Sequence, residues 1–447
     1  MTVNNDTFGL ERIFDRVTTP IEEFIHDQTA GGLVLMACAV LALVLANSPW
    51  AESYAHILHT PITLSIGAWS LSHSLHHWIN DGLMTLFFFV VGLEIKREFL
   101  VGELADRRRA ALPIAAAIGG MVVPAGIYAL INAGGPGIAG WGVPMATDIA
   151  FAVGVLVLLG PRIPRPLLTM LLALAIVDDL GGVLVIALFY THDLNLTALA
   201  WVGILFAALM ILNRGGVRRP WVYFVFGTMM WLAMLASGVH ATLAGILTAW
   251  TIPARPKYEP RQFIEKVDEL LDRMKTGCSN QTSLLANQQQ YALVQALENG
   301  VHHVEAPLQR LEHTLHLPVA FLIVPIFALA NAGVPIEAAS LGQLLHDPIA
   351  LGIVLGLVLG KFLGITGAVW LAVRLGFGQL SAGVSFAQVM GVALIAGIGF
   401  TMSIFIAELA FAGDAARLVV AKTGILAASL IAGISGFLWL RLVSRPA

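Results

Sequence analysis

The sequence has 447 residues, is 57% apolar and only 12% charged, and carries a formal net charge of -3, with a mean hydropathy of +0.82. That balance excludes an ordinary water-soluble domain, and no nucleic-acid partner is expected. With Cys38 inside the first apolar run and Cys278 in a polar loop, a disulfide framework is excluded as well.

Residues 1–29 mix Asp, Glu and Arg without an apolar core, so no cleavable signal is expected and the first helix drives insertion. Apolar runs long enough to cross a bilayer then recur along the chain. The expected spans are 30–48, 81–99, 110–132, 141–159, 167–190, 196–213, 219–237, 240–253, 317–334, 348–373, 385–412 and 417–441. The chain thus divides into a cytoplasmic segment 1–29, spans 1–8 over 30–253, a loop 254–316, and spans 9–12 over 317–447. The predicted class is an all-α membrane protein of about twelve transmembrane helices. Of the 25 Lys and Arg residues, all but Lys361, Arg417 and Lys422 fall at the two ends or in the even-numbered loops, which places both termini in the cytoplasm.

Loop 49–80 is external on that orientation. Its stretch PITLSIGAWSLSH alternates in polarity and is rich in β-branched residues, which predicts a short hairpin, either a surface flap or an edge that pairs with a second copy. Span 4 opens with Gly140, Gly142 and Pro144 ahead of Thr147 and Asp148. Pro144 removes a donor and crowds the preceding turn, so the helix should unwind there. Carbonyls freed at that depth need a cavity or a cation as partner.

Span 5 carries Asp178 and Asp179 in the run LLTMLLALAIVDDLGGVLVIALFY. Each carboxylate held in hydrocarbon costs several kcal/mol, so adjacent acids at mid-bilayer point to the passage of a charged species. Loop 254–316 has Phe263, Val267, Leu270, Leu271 and Met274 at helical spacing, which predicts an amphipathic helix lying on protein or membrane. It serves either as a connector or as a regulatory element. Lys361 in span 10 would be as costly bare as a bare carboxylate, so it should pair with Asp178 or Asp179.

Span 11 is interrupted at Gly397-Ile398-Gly399, just before Phe400, Thr401 and Ser403. Spans 3–5 and 10–12 thereby form two trios that start on opposite sides, each with a broken middle member. That is the pattern of an inverted repeat with its site at mid-membrane, where the two interrupted helices cross. A small hard cation such as Na⁺ or Li⁺ takes oxygen ligands, which Asp178, Asp179, Thr147 and the unwound backbone supply. Two close carboxylates resist joint ionisation, so protons and cation compete for them. A site that changes sides only when filled by one or the other performs antiport.

The segments WINDGLM, GLEIKRE, MATDIAFAVGVL, LALAIVDDLGG, SGVHATLAG, PIFALANAGV and GIGFTMSIFIA, running from about residue 78 to 412, resemble the NhaA family of bacterial sodium/proton antiporters. The resemblance implies that Asp178 and Asp179 bind the cation and carry the protons, and that Lys361 pairs with the first of them. It implies that Thr147 and Asp148, with Gly399 and Thr401 opposite, support the site at the helix crossing. It further implies Na⁺ or Li⁺ export against a larger number of inward protons, activity at alkaline pH and an inner-membrane location. A homodimer joined by the hairpin also follows, and no cofactor beyond the transported ions. Glu94, His240, Glu312 and His313 match positions tied to the pH response. Asp81 either caps span 2 or lines the external funnel, the cap being the expected role. Glu408 lies outside the family pattern and is expected near the external mouth, attracting cations or meeting water. Loop 254–316 is longer than the family pattern.

Two other functions use membrane acids. An intramembrane aspartyl protease needs them on separate helices in a Gly-x-Gly-Asp setting, which this sequence lacks. A sodium-driven symporter of organic anions shares crossing broken helices and is distinguished by its need for an organic solute. A passive channel differs only in lacking coupling.

Overall fold

The computed structural model describes residues 28–67, 69–191, 194–256, 260–277, 292–296, 304–335 and 346–444. The expected N-terminal segment, Cys278 and much of loop 254–316 lie outside these residues.

Every expected span coincides with a helix or a bent helix pair. In chain order they are α1 Gln28–Ala46, α3 Leu75–Val101, α4 Arg107–Ile131, the broken α5 (Pro136–Met145 and Ile149–Val157), α6 Arg165–Phe189, α7 Leu196–Arg214, α8 Pro220–Leu235 and α9 Leu243–Thr251. After α10 Pro260–Gly277 come α11 Pro307–Asn331, α12 Pro348–Arg374, the broken α13 (Phe386–Ile395 and Phe400–Ala410) and α14 Ala415–Val443. Seven described helices are long and apolar enough to cross a bilayer, and up to ten spans result if each bent pair counts as one. At a rise of about 1.5 Å per residue, α8 and α9 are shorter than the hydrocarbon core, so these two expected spans are partial.

The loop after α1 forms a helix that the sequence reading missed, α2 Ala51–His59. It then forms the expected hairpin, β1 Pro61–Ile66 paired antiparallel with β2 Trp69–Ser74, with Pro61 opposite Ser74 and Ile66 opposite Trp69. α10 covers the predicted amphipathic stretch. α11 begins ten residues before the expected span 9, because Pro307 at its first position suits a helix start and nothing breaks the helix until residue 331.

The helices sort into two bundles. In the first, α4 packs along α12 and α6, while α12 and α13 pack on α14. In the second, α3 packs on α9 and α11, and α7, α8 and α9 pack on one another. α1 lies between α5 and α11. The tightest contact in the first bundle is the crossing of α4 and α12, where a side-chain carbon at Gly119 or at Gly364 would run into the other residue's carbonyl. Two glycines facing each other let the backbones touch. That approach seats Lys361, one turn before Gly364, against α4 in the bundle interior.

Candidate ion site

Both predicted helix breaks are present, and they meet. α5 is a 3-10 stretch, Pro136–Met145, followed after an extended link by the helix Ile149–Val157, bent by 44°. α13 consists of Phe386–Ile395 and Phe400–Ala410, bent by 47°. The freed backbone groups find partners across the crossing: Asp148 N–H donates to the Ile398 carbonyl at 2.7 Å, and Ser403 Oγ donates to the Val143 carbonyl at 2.8 Å.

Asp148 joins the two breaks. One carboxylate oxygen caps the second half of α5 by accepting from Phe151 N–H at 3.0 Å. The other accepts from the Thr401 N–H at 3.0 Å and its hydroxyl at 2.5 Å. Each half-helix start carries partial positive charge, so one buried carboxylate between two of them is held by both. Gly399, the residue before the second half of α13, lies against the Ala146 carbonyl, with no room for a side chain. Replacing Asp148 by Ala leaves the N–H groups of Phe151 and Thr401 unpaired in a buried setting, at about 1–3 kcal/mol each. Asp148→Ala is therefore expected to lower the melting temperature of the detergent-solubilised protein by several degrees, and Asp148→Asn by less than half as much. Equal losses in the two variants would mean that charge, not the acceptor geometry, holds the crossing.

The Asp pair lies at the middle of α6, where successive residues point about 100° apart. Asp178 turns toward α12 and the α5 break. It is ion-paired with Lys361 Nζ and accepts from Thr147 Oγ1 at 2.8 Å. Lys361, fully buried at 0% exposure, also donates to Thr147 Oγ1 at 3.0 Å. The Thr147 hydroxyl thus accepts from the ammonium, with its single proton placed between Asp178 and the Ala396 carbonyl at 2.9 Å. Of the two partners open to Lys361 in sequence, the structure selects Asp178.

Asp179 faces the other way. Its Oδ2 is buried without a hydrogen-bond partner among the described residues. It borders a cavity of about 10 Å³, lined also by Phe88, Ala146, Met402 and Phe405, a volume at the lower limit for one water molecule. The arrangement therefore holds one acid ion-paired with a lysine and, one residue on, one acid without an ion-pair partner among the described residues.

The remaining predicted residues separate. Glu94 and Glu312 meet at one end of α3 and α11: Glu94 lies 3.8 Å from His316, and Arg97 lies 3.1 Å from Glu312 and 3.0 Å from Glu98. His313 is exposed, and His316, three residues on, is the histidine that faces the cluster. His240 is at the opposite, hairpin end, bonded to Thr242 Oγ1 at 2.7 Å and 3.7 Å from Asp81.

Asp81 is not a helix cap. α3 starts six residues earlier with Ser74 as its cap, and Asp81 sits in a π-helical turn beside His77 at 3.2 Å. Glu408 is also not at an open mouth: it is largely buried and paired with Lys422 of α14 at 2.5 Å, with His76 at 3.7 Å. Sequence reasoning missed His316 and this second ion pair. The available signal was a second lysine in an apolar run with an unexplained acid in the neighbouring span.

The profile of a family described as Na⁺/H⁺ antiporter 1 matches residues 22–440. Among curated proteins, the chain is 54% identical to Na(+)/H(+) antiporter NhaA 1 of Saccharophagus degradans, over 96% of this chain and 93% of the other. It is 53% identical to Na(+)/H(+) antiporter NhaA of Sulfurimonas denitrificans, over 98% of both chains. It is 49% identical to the protein of that name from Syntrophobacter fumaroxidans, over 97% of this chain and 92% of the other.

Proposed function

The chain belongs to the Na⁺/H⁺ antiporter 1 family, and from that premise we propose that it exports Na⁺ or Li⁺ in exchange for a larger number of inward protons, by alternating exposure of the Asp178–Asp179 site. It is a multi-pass membrane transporter of Na⁺ and H⁺. The single observation that carries the mechanism is the inequality of the two acids: Asp178 is held by Lys361 and Thr147, while Asp179 Oδ2 is buried with no hydrogen-bond partner among the described residues. A dehydrated monovalent cation beside Asp179 neutralises it, and so does a proton. The two compete, and an empty, charged site is the form least able to cross between sides.

The resident membrane is a bacterial inner membrane with both termini cytoplasmic, so the hairpin is external and the cluster of Glu94, Glu312 and His316 is cytoplasmic. Activity at alkaline pH follows from competition, since raising the pH removes the proton that excludes Na⁺. A homodimer joined along the hairpin is part of the same reading.

Competition makes a quantitative prediction for vesicles carrying the protein and a pH-sensitive dye. Below the titration range of the site, the apparent KM for Na⁺ should rise about tenfold for each unit of falling pH per competing proton, with the maximal rate nearly constant. The dye response should appear with no organic solute present. A KM that stays flat while the maximal rate collapses would place pH control away from the ion site. A response that requires an organic anion would favour the symporter.

A further inference from the structure

We propose that His76, Glu408 and Lys422 form a second buried charge centre that binds a proton at His76 and clamps the two helix bundles together on the hairpin side of the ion site. The inference deepens the antiport reading and rests on it for the meaning of the clamp, though not for its existence.

The centre spans the boundary between the bundles. Glu408 and Lys422 belong to α13 and α14 of the first bundle, and their ion pair is 2.5 Å long. His76 belongs to the first turn of α3, in the second bundle, and its Nε2 lies 3.7 Å from Glu408 Oε1 and 3.0 Å from Asn331 Oδ1 of α11. Asn331 is itself anchored, donating to Asn80 Oδ1 at 2.8 Å and to the Phe327 carbonyl at 3.0 Å. The imidazole is thus fixed by the second bundle and reaches across to an acid on the first.

Three residues before Glu408, and so on the same face of α13, Phe405 makes the apolar part of the same closure. Its ring contacts Phe88 of α3 at 5.5 Å, His240 at 5.2 Å and Phe327 of α11 at 6.1 Å. It also lines the small cavity at Asp179. At about 1.5 Å per residue, Glu408 sits roughly 10 Å along α13 from Thr401 and the crossing. Opening a path from Asp179 to the hairpin side therefore means withdrawing Phe405 from its aromatic neighbours, and the same movement separates Glu408 from His76.

The charge on His76 sets how tightly this contact holds. The charged groups around it are Glu408 on α13, Lys422 on α14 and His59 on α2, and Glu408 acts on it most strongly of the three. Asp81, His77, His73 and His240 form a separate cluster on the other side of the same turn. A neutral imidazole with its proton on Nε2 already donates to Asn331. A second proton adds attraction to Glu408 that outweighs repulsion from Lys422. Proton loading thus tightens the clamp and deprotonation loosens it, with burial of the imidazole opposing the charged form and placing the change on the acid side of the usual histidine range.

The test uses the full chain with Cys38 and Cys278 replaced by Ser, reconstituted in vesicles, with Ile406→Cys reporting exposure of the cavity beside Asp179. A membrane-impermeant maleimide is applied from the hairpin side between pH 5 and 8. Rates are divided by that of the same protein unfolded in detergent at the same pH, because the thiolate fraction alone rises with pH; on that scale labelling in the reporter background should accelerate severalfold as pH rises. Adding His76→Gln, which keeps a donor for Asn331 and cannot titrate, should give fast labelling at every pH. The pair Glu408→Gln with Lys422→Gln, which leaves no charge stranded, should behave as His76→Gln does. In the same variants, with Ile406 restored, the half-activation pH of Na⁺-driven proton movement should move toward acid by about half a unit to one unit. Labelling that ignores both pH and His76→Gln overturns the clamp, whatever the transport result. Labelling that responds in a protein showing no Na⁺/H⁺ exchange keeps the clamp and overturns the antiport reading instead.

Discussion

Asp179→Asn is expected to abolish Na⁺-driven proton movement, lowering it at least about a hundredfold, while leaving the protein folded and equally or more stable. A hundredfold loss corresponds to about 2.7 kcal/mol, well within what removal of a full charge from a buried cation site should cost. Asp178 is committed to Lys361 and Thr147 and Asp148 to Phe151 and Thr401, so among the described residues at the crossing the carboxylate of Asp179 is the one left to balance an incoming cation. Asparagine keeps the shape and one oxygen ligand but neither the charge nor the site for a proton. Stability should move the other way, because Asp179 Oδ2 is buried without a hydrogen-bond partner among the described residues, and an amide is cheaper than a carboxylate to keep out of water. Dye-monitored exchange in everted vesicles and thermal unfolding in detergent give the two readouts. Exchange within a few fold of wild type would remove Asp179 from the mechanism. A collapse of both readouts together would make it a structural residue.

The sequence made the acids and the breaks legible, because each violates a local rule. Two carboxylates in a 24-residue apolar run, a proline four residues before Asp148 and the Gly397–Gly399 break have no reading as ordinary lipid-facing helix. The matching order of long helix, broken helix and long helix in α4–α6 and α12–α14 followed from counting spans. What the sequence withheld depends on helix rotation and on which helices meet. The choice of Asp178 over Asp179 by Lys361 is a 100° question, decided by the rotation of α6 against the lysine that the glycine contact between α4 and α12 seats in the interior. His316 rather than His313 reaches Glu94 because, on nearly the same face, it lies about 4.5 Å further along α11. Asp81 reads as a cap only if α3 starts where the apolar run starts. Polar residues from Leu75 onward extend the helix instead, with Ser74 supplying the cap. Glu408 looked exposed because its partners come from the next span and from a histidine more than 300 residues away.

Lys361→Met should be among the most destabilising single substitutions in the chain, and the loss should be largely reversed by adding Asp178→Asn. The ammonium is fully buried, ion-paired with Asp178 and donating to Thr147. Removing it strands a carboxylate, at about 3–5 kcal/mol, whereas removing both charges is close to neutral. On the scale of a large domain the single change should lower the melting temperature by roughly 5–15 °C. The double variant should regain most of that. Failure of the double variant to recover would show that the pair is held by more than its charges. The recovered protein also tests the coupling. With Asp178 and Lys361 both neutral, and Asp148 held by Phe151 and Thr401, Asp179 is the acid left to exchange a proton for Na⁺, so residual exchange should carry one proton per cation. Valinomycin with K⁺, which relieves charge build-up, should then accelerate wild-type exchange and leave the double variant unaffected. Each net charge carried inward supplies about 2.3 kcal/mol per 100 mV. A variant without that contribution should stop exporting Na⁺ once the outside is more alkaline than the inside, while the wild type continues.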